Sequence, residues 1–275
     1  MIDSLQAIPR PAGLDAPLLV IADQEGGPVR RVPGSPVGAA AEVRTAARAA
    51  AAGRAAAVTL RGAGVNLDLA PVADVARSGA ALERERRTYD RDAGAVAQLA
   101  TAFAGGLREG GVLATAKHFP GLGAATVNTD DEPARITTAL VTLRSVDERP
   151  FGALVAGGVD AVMLSSAVYP ALDDRPAVFS STWVGAELRG RLGFAGVTLS
   201  DDLATLALDG FGSIGRRAVL AVRAGIDLPL FVSSYGAGVR AAAGLLDAAR
   251  HRRVGAPLRA TAQRILAMRA KLAAG

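Results

Sequence analysis

Apolar residues in this chain come in short, uninterrupted runs. Each run but the first is entered through a glycine and follows a longer, alanine-rich stretch. The pattern appears in RGAGVNLDLAPV at Gly64, REGGVLATAKHF at Gly111, VAGGVDAVMLSS at Gly158, LGFAGVTLSDDL at Gly196 and RAGIDLPLFVSS at Gly225. The glycines are 47, 47, 38 and 29 residues apart, too irregular for a solenoid. Such runs predict strands buried on both faces, as in a parallel sheet covered by helices. PLLVIADQEGG at 17–27 supplies another. The spacing predicts six βα units, with strands at 18–22, 65–70, 112–116, 160–164, 196–199 and 226–232. Helices are predicted at 39–61, 92–109, 147–157, 182–191 and 214–224. The glycine before each strand suits a helix C-cap.

Polar residues gather directly after these runs. Asp23, Gln24 and Glu25 follow the first, Asp74 the second, and Lys117 and His118 the third. Ser165 and Ser166 follow the fourth, and Ser200, Asp201 and Asp202 the fifth. Strand C-terminal ends are where a (β/α) barrel builds its active site. The 275 residues are ordinary for one such barrel, a single domain over 1–275. Half the residues are hydrophobic and only 4% aromatic, which suits tight packing of small side chains. The net charge is +5, yet the densest basic cluster is RHRR at 250–253 and no aromatic-laced basic stripe accompanies it, so nucleic acid is not an expected partner. Without cysteine, disulfides and thiol chemistry are excluded, and a zinc site would need His and carboxylates alone. No metal or cofactor is expected. No apolar run reaches the roughly 18 residues of a membrane span, and the first twenty residues lack a signal peptide's basic start and apolar centre. As written, the expectation is a cytoplasmic protein with no membrane partner.

IADQEGGPVRRV, NLDLAPVADV, RRTYDRD, AKHFPGLG, DAVMLSSAVYPALDDRPAVFSSTWV and LGFAGVTLSDDL follow one another as in glycoside hydrolase family 3, from about residue 17 to the C-terminus. KHFPG followed by SDDL is a highly specific combination. The chain most resembles the branch of single-domain bacterial β-N-acetylglucosaminidases. The resemblance implies an α/β fold, the (β/α)8 TIM-type barrel, and retaining hydrolysis of a carbohydrate substrate through a glycosyl-enzyme intermediate. It implies Asp201 as nucleophile. The bland reading of Asp201 is a helix N-cap, since SDD is also a capping sequence; Asp202 fits the cap better. Asp23, Arg31, Arg87, Lys117 and His118 match positions that bind sugar hydroxyls, where hydrogen bonds to charged groups are worth about 1.5–3 kcal/mol each. The alternatives are surface salt bridges for the two arginines and a structural ion-pair layer across the barrel mouth for Lys117-His118. Glu25 would pair with one of the arginines, and Gly26-Gly27 would turn the backbone beneath the sugar.

Three features depart from the resemblance. In the acetylglucosaminidase branch the loop after KHFPG-x-G carries Asp-Ser/Thr-His, the general acid/base dyad. The same count lands here on Asn128-Thr129-Asp130, and the histidine is absent. Asp130, or its neighbour Asp131 or Glu132, would then transfer the proton as a carboxyl group with a raised pKa, its acidic neighbours helping to raise it. Otherwise the loop is a solvated acidic turn and the protein a weak or inactive sugar-binding homologue. Ser166 stands where the family often has histidine. Finally, only sixteen residues precede the DQEGG strand, where the family has two βα units of roughly 25–30 residues or more each. The expectation is therefore a barrel truncated to six recognisable βα units, with 18–22 and 226–232 as open edges. Pro229 in the last strand agrees with an edge, and open edges favour self-association. A start further upstream would leave room for a secretion or lipoprotein signal. A different barrel chemistry would use Lys117 as a Schiff-base amine.

Overall fold

The computed structural model describes residues 2–10, 14, 16–232 and 234–273; the remaining positions of the expected 1–275 domain lie outside the described residues. A short helix α1 (Ile2–Gln6) leads to β1 (Ile21–Ala22) and an antiparallel hairpin, β2 (Gln24–Gly26) with β3 (Val29–Arg30). Then follow α2 (Ala46–Gly62), β4 (Leu67–Asp68), α3 (Ala81–Arg84), α4 (Ala93–Glu109) and β5 (Leu113–Phe119). After a long loop come α5 (Leu140–Thr142), α6 (Arg149–Ala156), β6 (Ala161–Leu164) and a second hairpin of β7 (Val168–Tyr169) and β8 (Asp173–Pro176). The chain closes with β9 (Val197–Asp202), α7 (Ile214–Ala224), β10 (Leu228–Leu230), α8 (Tyr235–Arg250) and α9 (Gly255–Ala273). The main sheet has six strands in the order β1-β4-β5-β6-β9-β10, every neighbouring pair parallel.

The six strands and the helices predicted between them are present, with shifted boundaries. β5 runs on to Phe119 and β9 to Asp202, so Lys117, His118 and Asp201 belong to strands rather than to the loops after them. The helix expected over 39–61 starts only at Ala46, because the Thr45 side chain caps it by accepting from Arg48 N–H; residues 40–42 form a separate 3-10 turn. The segment Thr182–Arg191 is helical but π-wound. Gly64, Gly111, Gly158 and Gly225 all take positive φ at helix ends. Gly196 does not. Gly193, with φ 73, ends that helix instead, and Gly196 is needed because a Cβ there would come within 2.6 Å of the Asp160 carbonyl oxygen. The small residues pay off between α2 and α4, where a Cβ on Gly53 would lie 2.2 Å from the Phe103 carbonyl oxygen and one on Gly106 2.1 Å from that of Ala50.

Among the described residues β1 and β10 do not pair with each other, so both are edges and the curl stays open. Their residues are half-buried, whereas β5 and β6 are buried throughout. Leu67, Leu113, Met163, Val197 and Leu199 form an apolar cluster of their own, and Met268 of α9 is buried in it. Ile265 and Leu272 of the same helix pack alongside, with Ile21 and Leu228 from the edge strands. Three anchors fix α9 there. Arg264 and Thr261 bond Asp227 at 2.7 and 2.8 Å, Lys271 bonds Asp160 at 2.7 Å, and Arg269 donates to the Pro17 carbonyl at 2.7 Å. Asp227, Asp160 and Pro17 each lie just before a strand, so α9 crosses the N-terminal end of the curl as a floor. Replacing Met268 by alanine should lower stability by about 2–3 kcal/mol, seen as a lower denaturant midpoint at unchanged slope. An unchanged midpoint would mean that α9 is not part of the core.

Candidate active site

At the opposite end, Asp23, Arg31, Arg87, Lys117, His118, Asp130 and Asp201 all line one cavity of about 150 Å³. All seven residues singled out in the sequence therefore meet. The chain reaches this arrangement by specific local devices. Asp23 leaves β1 just before the β2–β3 hairpin, whose turn uses Gly26 and Gly27 at φ 100 and 57. The glycines allow close approach to the next segment, since a Cβ on Gly26 would fall 2.4 Å from the Gly38 carbonyl oxygen. The Gln24 amide holds the returning strand through Val32 N–H and the Val32 and Ser35 carbonyls. Arg31 is delivered to the cavity from this strand, its backbone N–H bonded to the Asp23 carbonyl at 3.0 Å. Arg87 follows α3 through Arg86, which takes the left-handed conformation at φ 59.

Lys117, Glu25, Arg87 and Asp23 form a buried ion layer under the cavity. The Lys117 ammonium lies 2.6 Å from both Asp23 and Glu25. Arg87 holds Glu25 with two hydrogen bonds, Nε at 3.0 Å and Nη2 at 2.8 Å. Burial alone would raise the Glu25 carboxyl, but Lys117 and Arg87 together hold it down at about 2. For Lys117, burial works against the charge, and Asp23 and then Glu25 outweigh it, so its pKa rises. A lysine clamped between two carboxylates keeps its proton, which weighs against a Schiff-base amine. Lys117 does stand in an ion-pair layer while also lining the cavity, and Arg87 is a buried partner rather than a surface bridge. Glu25 does pair with an arginine, as expected.

His118 belongs to a second buried group. Its Nδ1 is 2.8 Å from Asp74 Oδ2, and Asp74 also accepts from Leu122 N–H at 2.6 Å. This contact sets the ring orientation. The Lys117–His118 peptide is cis. Asp74, which holds His118, was not among the site residues expected from the sequence. Its position after a strand was the available signal. Asp68 carried no signal, since it lies within an apolar run. Burial pushes its carboxyl up to about 8, and among the described residues its Oδ2 has no partner.

The two candidate catalytic carboxyls face the cavity from different segments. Asp201 ends β9. Its neighbour Asp202 accepts from Ala204 N–H at 2.9 Å and Val232 N–H at 3.2 Å; the N-cap reading fails for both aspartates, because the next helical turn, Leu206–Phe211, starts after Thr205 with no side-chain cap. Asp130 sits in a turn built on Asn128, whose side-chain oxygen accepts from Asp130 N–H at 3.0 Å. Burial, and then the Asp201 charge, raises the Asp130 carboxyl. The expected help from Asp131 and Glu132 is not what does this: all three acids are exposed at the surface, but only Asp130 lines the cavity. Ser166 is buried, its hydroxyl unpartnered, and it does not line the cavity. Among the described residues no cluster of three or more His, Asp or Glu side chains is placed to hold a metal ion, and no helix is long and apolar enough to cross a membrane.

The family model described as glycosyl hydrolase family 3 N terminal domain matches residues 2–268. This chain belongs to glycosyl hydrolase family 3. An uncharacterized secreted glycosyl hydrolase of Arthroderma benhamiae is 41% identical over 240 residues, covering 84% of this chain and 68% of the relative. A beta-hexosaminidase of Alkalilimnicola ehrlichii is 36% identical over 241 residues, with the same coverage of 84% and 68%. Among solved structures, a family 3 β-N-acetylglucosaminidase from Paenibacillus sp. superposes with a TM-score of 0.88 at 34% identity, over 94% of this chain and 50% of that one. A β-N-acetylhexosaminidase from Beutenbergia cavernae gives 0.89 at 33% identity, over 98% and 83%. The chain thus spans from half to about four-fifths of these family 3 relatives.

The ion layer makes a stability prediction. Glu25→Gln removes the fully buried carboxylate that Lys117 and Arg87 share, leaving only the partly exposed Asp23 and Glu85 as their partners, and should cost about 3 kcal/mol. Because the folded carboxyl sits near 2 against 4.5 when free, its stabilisation is complete above the free value and fades as pH falls toward 2. The variant should therefore lose less stability on acidification than the wild type between those values. Equal acid sensitivity in denaturant titrations would refute the role of Glu25.

Proposed function

We propose that this chain is a retaining β-N-acetylhexosaminidase, with Asp201 as nucleophile and Asp130 as general acid/base. The observation that carries the reading is the pair of carboxyls in one small cavity, one of them raised by burial and by the charge of the other. Glycosidases separate acid from nucleophile by such differences in environment. The amino-sugar preference follows the names of the relatives, beta-hexosaminidase and β-N-acetylglucosaminidase.

In this mechanism Asp23, Arg31, Arg87, Lys117 and His118 hold the sugar hydroxyls. Asp201 attacks the anomeric carbon, forming the glycosyl–Asp201 ester as the bond to the leaving oxygen breaks. Asp130 gives that oxygen its proton. Asp130, now a carboxylate, takes a proton from water, which attacks the anomeric carbon and releases the sugar and free Asp201. Asp74 acts through His118 by holding its ring.

A slow fluorinated glycoside should label Asp201, and Asp201→Ala should reduce turnover by several orders of magnitude. Labelling elsewhere, or an active Asp201→Ala, removes the assignment. Saturable amino-sugar binding with no turnover of chromogenic β-glycosides by the wild type would instead favour an inactive sugar-binding homologue. Asp130→Ala should spare substrates with good leaving groups and depress poor ones; equal losses on both would count against Asp130. The Asp202 charge also contributes to raising Asp130. Asp202→Asn keeps an oxygen to accept from Ala204 and Val232 N–H but removes that charge, so the alkaline limb of kcat/KM should move to lower pH. A limb that stays in place would detach it from Asp130.

A further inference from the structure

The helix that follows the open edge strand β10 is apolar on two opposite faces. α8 turns Ala237, Ala241 and Ala248 inward, where they are buried. Leu245 and Ala249 pack beside them with Val222 of α7 and Val254. Gly244 meets α7 so closely that a Cβ on it would lie 2.6 Å from the Gly215 Cα. The inner face is thus fully occupied. On the outer face Tyr235 is 90% exposed, Leu246 61% and Val239 50%, and Ala242 and Ala243 are exposed between them. At about 100° of turn per residue these five side chains fall within one narrow arc opposite the buried alanines. A helix apolar all round is normally a buried one. Among the described residues nothing covers this outer stripe.

The order of the side chains along the stripe says what fits it. Tyr235, Val239, Ala242, Ala243, Leu246 and Arg250 succeed one another at intervals of 4, 3, 1, 3 and 4 residues. The intervals read the same in both directions from the midpoint between Ala242 and Ala243. A two-fold axis at that point sets a second α8 antiparallel to the first. Val239 then meets Leu246 of the other copy, Tyr235 meets Arg250, and the alanines at the axis let the two backbones approach. Each copy supplies both members of every contact, as an isologous interface requires, and a guanidinium over a tyrosine ring adds a favourable contact. Arg240 and Asp247, opposite in charge, stand on one flank of the stripe. Antiparallel helices bring like flanks together, so each Arg240 comes within an arginine's reach of Asp247 of the other copy. A parallel pair would set Arg250 against Arg250. Association through the strand edge itself is a poorer route, because Pro229 in β10 has no N–H to donate.

We propose that the outer face of α8 is a homodimer interface, packed antiparallel against the same face of a second copy of this chain across a two-fold axis between Ala242 and Ala243. The stripe lies outside the wall of the candidate cavity, so the interface stands whether or not the assignments there hold. α8 is about 24 Å long. One such helix pair covers less than the roughly 1,600 Å² of a standard interface, so half-association is expected at about 10–100 μM.

The test is sedimentation equilibrium of the full chain from about 1 to 300 μM, which should show a monomer passing to a dimer. Leu246→Glu places a charge in the centre of the contact and should weaken the dimer by about tenfold or more. Arg240→Glu should weaken it by about threefold, and adding Asp247→Arg should restore it. The chain has no cysteine, so single cysteines report the register. Ala243→Cys, beside the axis, should give a disulfide-linked dimer under copper–phenanthroline oxidation. Tyr235→Cys should not, since about 22 Å of helix separates its two copies in the antiparallel pair. The cysteine pair decides the matter by itself if Leu246→Glu does not fold. A monomer over the whole range, a dimer untouched by Leu246→Glu, or cross-linking through position 235 rather than 243 would overturn the proposal.

Discussion

Everything at the barrel mouth depends on the charge of Glu25 being met from both sides. Lys117 and Arg87 approach it from β5 and from the segment after α3, 92 and 62 residues further along the chain. A buried carboxylate with one cation removed keeps its desolvation cost and loses its compensation. The layer therefore forms as a unit or not at all. It ties the first strand and its hairpin to the third strand of the sheet, and its upper members, Asp23, Arg87 and Lys117, are the same groups that line the cavity. On the proposed function, stability and sugar binding draw on one set of side chains. A substitution that looks like a change in sugar contact at Lys117 or Arg87 is also a change in the fold's buried charge balance.

The open curl makes a second demand. Six parallel strands leave two edges, and a sheet of this kind needs both faces covered. The helices around the outside cover one face, and α9 covers the inner one from below with Met268, Ile265 and Leu272. At the top, the far edge is held by side chains where the backbone ladder loses register between Leu228 and Leu230. Ser200 accepts from Leu230 N–H at 2.8 Å, and Asp202 from Val232 N–H. Leu230 and Val232 thereby become part of the cavity wall. The residues flanking Asp201 on both sides thus pin the edge strand beside it. Among the described residues the side chain of the nucleophile candidate accepts only from its neighbour Asp202 N–H.

How much of this was legible beforehand differs by element. The parallel sheet was, because runs such as AVML carry no polar residue and each ends at a chemically distinct cluster. The seven cavity residues were legible through motif resemblance, which encodes geometry that spacing alone does not. Strand ends were not: Lys117 and Asp201 lie within strands because a barrel mouth tolerates polar residues that the hydrophobic pattern counts as loop. Gly193 and Gly196 could not be told apart, since one is needed for its φ and the other for the approach of Asp160. The floor role of α9 was invisible, because three apolar positions in an arginine-rich helix do not announce which surface they cover. Asp74 was noticed at a strand end, but its hold on His118 is a contact across 44 residues.

On the proposed function, a carboxyl at 130 stands in for an imidazole. The related branch carries an acid and a histidine two residues apart, one formal negative charge when the ring is neutral. Here Asn128 and Asp130 hold the same positions with the same formal charge. The order is reversed, and that reversal is what makes the local structure work. Asn128 accepts from Asp130 N–H and shapes the turn as an acid would, yet adds no charge beside the group that must stay protonated. A carboxylate at 128 would place a further negative charge next to Asp130 and Asp201. Burial and Asp201 already raise Asp130, and His118 and Arg87, both on the cavity wall, temper the shift in the opposite direction. The acid strength of Asp130 is therefore set by groups across the cavity rather than by its own loop. Its acidic neighbours Asp131 and Glu132 remain in solvent, where water screens them and they contribute little.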